Sequence, residues 1–191
     1  MVSKLLLGSA LVAGAVVVAG GAWAWTMRNI ETPAYTVERT DGAFEVRQYP
    51  ELVLASLATD GSRSEAVRNA FSPLAGYIFA RERPGEKIAM TAPVTQRAAG
   101  ESWTVSFIMP AGRTLDDLPV PAGDVTLETV APRTIAAMRF TGRWTDAAFD
   151  EARRALQSWA FAEGLTPVGD VEFAYYNDPF TPPFLRRNEV L

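Results

Sequence analysis

VRQYPELVLASLATDG, Val46 to Gly61, lies over LETVAPRTIAAMRFTG, Leu127 to Gly142, with an offset of 142 − 61 = 81 residues. Each copy reads as an alternating apolar run, a break at Pro50 or Pro132, a second alternating run and a glycine. Alternation at period two is the pattern of a half-buried strand, and proline interrupts a ladder because it has no N–H to donate. Three residues past each glycine, at Ser64 and Thr145, the period lengthens to that of a helix.

The first helix is predicted over about Ser64 to Ala80, with Val67, Phe71, Leu74 and Ile78 on one apolar stripe and Ser62 with Glu65 in capping-box spacing. The second spans about Thr145 to Glu163, where Phe149, Ala152, Leu156, Trp159 and Ala160 form the stripe and Trp144 is placed to staple onto Phe149. Pro73 falls inside the first helix, where proline costs about 3 kcal/mol and leaves the carbonyl of Asn69 without its donor.

Outward from the repeat, Tyr35 to Val37 alternates, and Asp41-Gly42 turns the chain into Phe44 to Arg47, a hairpin signal that marks the start of the folded part. Lys87 to Gln96 and Trp103 to Pro110 also alternate, PAGRTLDDLPVPAGD (110–124) reads as a surface loop, and Val171 to Tyr176 reads as the last strand. These elements sum to an α+β domain: two similar β-α-β halves forming a distorted antiparallel barrel or sheet, with two packed helices and a ligand groove expected between them.

The chain closes with YYNDPFTPPFLRRNEVL, in which Pro179, Pro182 and Pro183 fix φ and stiffen the backbone. The expectation is an extended clasp: Phe180 and Phe184 plug the apolar end of the sheet, and Arg186, Arg187 and Glu189 make polar contacts across the two halves.

At the other end, Leu5 to Trp25 carries no charge and is long enough to cross ~30 Å of hydrocarbon. Residues 1–28 are therefore an anchor or signal segment, and residues 29–191 the folded domain. Trp23 and Trp25 suit a membrane interface, and Lys4 favours an N-in orientation. Ala22-Trp23-Ala24 has the small-x-small form of a cleavage site, so a cleaved, secreted or periplasmic product is the alternative. The simplest setting is a bacterial inner membrane with the domain in the periplasm.

Composition narrows the chemistry. Net charge is −4 and the pI about 5.0, with no long basic stretch, which argues against nucleic-acid binding. The chain has no cysteine and no histidine, so disulfides, thiol or imidazole catalysis and Cys/His metal sites are excluded. Asp116-Asp117 and Glu82/Glu86 sit in loops with no sign of a paired acid and base, and the chain reads as a non-enzyme with no catalytic or metal site.

KIAMTAPV (87–94), VSFIMP (105–110), YTVERTDGAFEVRQYPELVLA (35–55) and YYNDPFTPPFLRRNEV (175–190) together resemble the SOUL/haem-binding protein family, over about Thr32 to Leu191. The resemblance implies a distorted β-barrel of two similar halves, similar to the effector-binding domains of bacterial transcription regulators, and binding of haem or another tetrapyrrole. It implies no common catalytic reaction.

The family's tetrapyrrole surface lies on the first helix and its neighbouring strands, and EAVRNAFSPLAGY (65–77) matches that helix. It assigns Arg68 to a propionate and Phe71 and Ala75 to the ring face, with Met90 on the neighbouring strand. Each has a plainer reading: Arg68 as an exposed cation beside Glu65, Phe71 and Met90 as core. The histidine ligand credited to one branch of the family is absent here, so the ring rather than the iron would be gripped. The alternative function is an envelope interaction module whose groove takes another lipophilic molecule or a partner peptide.

Overall fold

The two strands of each repeat form as the alternation demands, β2 (Phe44–Tyr49) and β3 (Leu52–Thr59) in the first, β6 (Thr126–Val130) and β7 (Arg133–Phe140) in the second. The bounds of β3 and β7 differ by the same 133 − 52 = 140 − 59 = 81 residues that the sequence repeat shows. Each pair is followed by a helix, α1 (Arg63–Ile78) or α2 (Asp146–Ala162), and then by two more strands: β4 (Val94–Ala99) with β5 (Ser102–Ile108), and β8 (Glu172–Tyr175) with β9 (Asn188–Val190). An edge strand, β1 (Thr36–Asp41), precedes them and turns into β2 at Gly42, whose φ of +58° suits glycine. This computed structural model describes residues 30–81 and 83–191.

The nine strands among the described residues belong to one curled antiparallel sheet in the order β1-β2-β7-β9-β8-β4-β5-β3-β6. Equating β2 with β6, β3 with β7, β4 with β8 and β5 with β9 maps the order onto itself about the β8–β4 pair, which is therefore a pseudo-twofold axis. The halves also exchange strands: β2 pairs with β7 of the other half (Phe44 opposite Met138), and β6 pairs with β3 (Leu52 opposite Val130). The sheet stays open, with β1 and β6 at its edges.

The helices cover one face. α1 packs its Ala70, Leu74 and Ile78 against Val53, Ala55 and Leu57 of β3 and Val105 and Phe107 of β5. α2 packs Phe149, Ala152, Leu156 and Trp159 against Val46, Phe173, Tyr175 and Val190. Both clusters and the whole sheet lie within Glu31–Leu191, one compact unit.

Three expectations are corrected. The strand expected over Lys87 to Gln96 begins only at Val94, past Pro93, which has no N–H for the ladder, and Lys87 to Pro93 runs as irregular chain apart from a bridge between Thr91 and Glu31. The long loop after Ile108 is not purely a surface feature, since its Leu118 is buried in the α1 cluster. The C-terminal segment ends as β9, a fully buried strand between β7 and β8, and Phe180 and Phe184 point outward rather than into the sheet. The anchor expected over residues 1–28 lies outside the described residues. Among those described, no helix is long and apolar enough to cross a membrane.

Candidate functional site

The start of α1 is fixed as its sequence requires. The Ser62 side chain caps Glu65 N, and the Glu65 carboxylate accepts from Ser62 N at 3.0 Å, which completes the capping box. Those bonds to Ser62, and then the charge of Arg68, hold the Glu65 carboxyl below its ordinary range. Arg68 itself is exposed and makes no ion pair or hydrogen bond among the described residues.

One turn on, Phe71 is 42% exposed and its ring meets Phe107 edge-on at 5.4 Å. Met90 is half-buried against the same cluster. Ala75, at 3% exposure, is a core residue with no free surface for a ring. Arg68 and Phe71 thus lie on the exposed side of α1, Met90 is half-buried at the edge of the α1 core, and Ala75 is inside that core.

The donor set can be tested against a tetrapyrrole. Arg68 offers a guanidinium with no partner among the described residues to a propionate, Phe71 a partly exposed aromatic ring, and Met90 a thioether, a side-chain type that ligates haem iron. Ala75 fits no such role. Among the described residues no cluster of carboxylates could hold a free metal ion.

The groove expected between the helices is filled. Val67 and Val94 pack against both hydrophobic clusters, so the two cores meet there. Beside them Arg63, at the first turn of α1, bonds Asp146 Oδ1 at 2.8 Å, the Trp144 carbonyl at 2.9 Å and the Tyr175 hydroxyl at 2.5 Å. Tyr175 in turn donates to Gln96 Oε1, and Gln96 Nε2 returns to the Arg63 carbonyl, each at 2.8 Å. Burial pushes the Tyr175 hydroxyl up to about 12, against the opposing charge of Arg63, so it remains a neutral donor.

Two cavities lie elsewhere. One of about 230 Å³ flanks α1 on the side away from Phe71 and is lined by Leu57, Pro73, Gly76, Tyr77 and Val125, with Arg83 beside it. A Cβ on Gly76 would meet nothing within 4 Å, so this stretch of α1 is open. Arg83 is engaged by the carbonyls of Tyr77, Pro84 and Glu86 and acts as a clamp on the helix end. The other cavity, about 50 Å³, is on the opposite face of the sheet near Thr95, Arg97 and Arg133. Neither of these two reaches the ~300–1,000 Å³ of sites that enclose a drug-sized ligand, so neither would enclose a macrocycle.

Comparison with known proteins agrees with the architecture. A model of the family described as SOUL heme-binding protein matches residues 30–191. No curated protein sequence matches. Among solved structures, the chain is similar to the EcmrR C-terminal domain (TM-score 0.58, 11% identity, covering 82% of this chain and 94% of that one). It is also similar to a hydrolase from Listeria innocua (TM-score 0.51, 13% identity, 80% and 92%) and to an uncharacterized conserved protein from Listeria innocua (TM-score 0.52, 12% identity, 77% and 89%). At these identities the likeness is one of fold alone.

Proposed function

The chain belongs to the SOUL heme-binding protein family, and from that premise we propose that it binds haem or a related tetrapyrrole without catalysing a reaction, along the exposed margin of α1. The observation that carries the reading is the exposed Phe71 ring one helical turn from Arg68, which has no partner among the described residues, with Met90 at the edge of the α1 core. Ring contact on Phe71 and a propionate on Arg68 supply most of the grip. With Met90 half-buried at the core edge and no histidine in the chain to ligate iron, binding discriminates weakly between haem and the metal-free macrocycle. The domain is held at a membrane by the segment Leu5 to Trp25, on the extracytoplasmic side.

Titration of residues 29–191 with haemin and with protoporphyrin, followed by absorbance and tryptophan quenching, tests this. Saturable one-to-one binding of both is expected, weakened about tenfold or more by Arg68→Glu or Phe71→Asp, each of which removes one charge-assisted or apolar contact. Both positions are exposed enough for the variants to fold. Unchanged affinity in folded variants would place the ligand elsewhere.

A further inference from the structure

The segment joining β8 to β9 turns its apolar side chains outward: Phe180 is 85% exposed, Phe184 75% and Leu185 63%. Single exposed apolar residues need no explanation, but three within one short loop do. The loop is also built to hold its shape. Asp178 Oδ1 accepts the N–H groups of Phe180 and Thr181 at 2.7 and 3.0 Å, and Asn177 Oδ1 accepts that of Arg187 at 2.7 Å across the base. Arg186 donates to the carbonyls of Thr181 and Pro179, both at 2.8 Å, while Leu185 N and Arg186 N bond the carbonyls of Pro182 and Pro183. Pro179, Pro182 and Pro183 have no N–H to satisfy.

Such an account of the backbone matters in hydrocarbon, where no water replaces a missing partner. A loop whose polar backbone is largely satisfied internally, and whose exposed side chains are Phe, Leu and Pro, can enter the apolar boundary of a bilayer at low cost. Its exposed side chains lack the hydroxyl and indole groups that orient protein partners, the one hydroxyl, that of Thr181, being buried and turned to Asp178. Arg186, lying over the Trp144 ring at 4.4 Å, and exposed Arg143, next to the Gly142 that bonds the Pro183 carbonyl, flank the tip with cations suited to anionic headgroups.

The length of chain ahead of the fold points to the same occupant. From Trp25, the end of the uncharged run, to Glu31 the chain can span at most about 20 Å at ~3.4 Å per residue. Glu31 itself accepts from Ala92 N and Ala111 N, and four residues on the Tyr35 hydroxyl accepts from Arg187 Nη2 at 3.3 Å at the base of the loop. We infer that the loop from Asn177 to Arg187 is an interfacial wedge that seats Phe180, Phe184 and Leu185 in the headgroup–acyl boundary of the bilayer. The inference rests on the membrane-anchor reading for its proximity, and its test separates the two.

Because the chain has no cysteine, single labels are clean. Phe184→Cys and, as comparator, Val120→Cys in the exposed loop after β5 are labelled with bimane in the full chain, in phosphatidylcholine/phosphatidylglycerol vesicles carrying a spin-labelled lipid. Quenching at position 184 several-fold above that at 120 is the expected result, and equal quenching overturns the wedge. Carbonate extraction reports the anchor on its own. Should the chain extract, flotation of residues 29–191 with the same vesicles still decides the loop. There Phe180→Ser/Leu185→Ser should lower partition about tenfold. If that variant instead leaves partition unchanged and abolishes self-association in sedimentation, the loop is an interface between copies and the wedge falls.

Discussion

Glu189 is the residue on which the face opposite the helices turns. It is fully buried in β9, and Arg47 of β2 grips it through two bonds of 2.6 and 3.0 Å, while Arg187 Nε at 3.0 Å and the Tyr176 hydroxyl at 3.0 Å complete its shell. Burial alone would raise the Glu189 carboxyl, but the Arg47 bond and the charges of Arg187 and Arg47 hold it below the ordinary carboxylate range. A depressed folded pKa contributes stability that is complete above the unfolded value of about 4.3 and is lost as pH falls through the folded one. Urea unfolding should therefore show stability falling from pH 5 downward, with a shallower fall in Glu189→Gln. At pH 7 that variant should cost up to about 3–5 kcal/mol, since it takes the Glu189 carboxylate from buried Arg47, which keeps Glu45, and from half-buried Arg187. Arg47→Met/Glu189→Leu should recover a large part of the loss. Sequence pointed to Arg187 and Glu189 as contacts across the halves, but not to Arg47, 142 residues away, because no local pattern pairs residues so far apart.

At the scale of elements, local signals decided how α1 and α2 begin. Ser62 caps α1 with Glu65 answering, and Thr145 caps α2. Trp144 reaches the α2 core through Tyr175, their rings 5.4 Å apart edge-on, with Phe149 5.2 Å from Tyr175. Ser62→Ala should cost about 1 kcal/mol, read as a lower urea midpoint at unchanged slope. Pro73→Ala should shift the midpoint the other way, by up to ~3 kcal/mol, because it restores a donor to the Asn69 carbonyl and its site is exposed. β9 was illegible for the opposite reason. Three residues, Asn-Glu-Val, are too few to show a period, and an acid in the middle reads as surface until its partners are known.

The whole molecule is interlocked rather than merely duplicated. β2 completes the second half and β6 the first, so neither repeat has a closed sheet of its own. Calorimetry of residues 29–191 should give one transition with calorimetric and van't Hoff enthalpies equal, and the separate pieces 29–124 and 125–191 should each be unfolded by circular dichroism. Two transitions would mean that the halves are independent. By itself the sequence determined the 81-residue offset of the repeat, both helices with the capping box of α1, most strands, and the absence of thiol and imidazole chemistry. These follow from periodicity and composition, which record how each element meets solvent. Only the tertiary structure decided that the halves exchange strands, that β9 lies at the centre of the sheet, that Val67, Val94 and Arg63 fill the space between the helices, and that Phe180 and Phe184 face outward. Those outcomes depend on which distant element docks where, and docking is settled by the summed burial and hydrogen bonding of the whole sheet, not by any local run of residues.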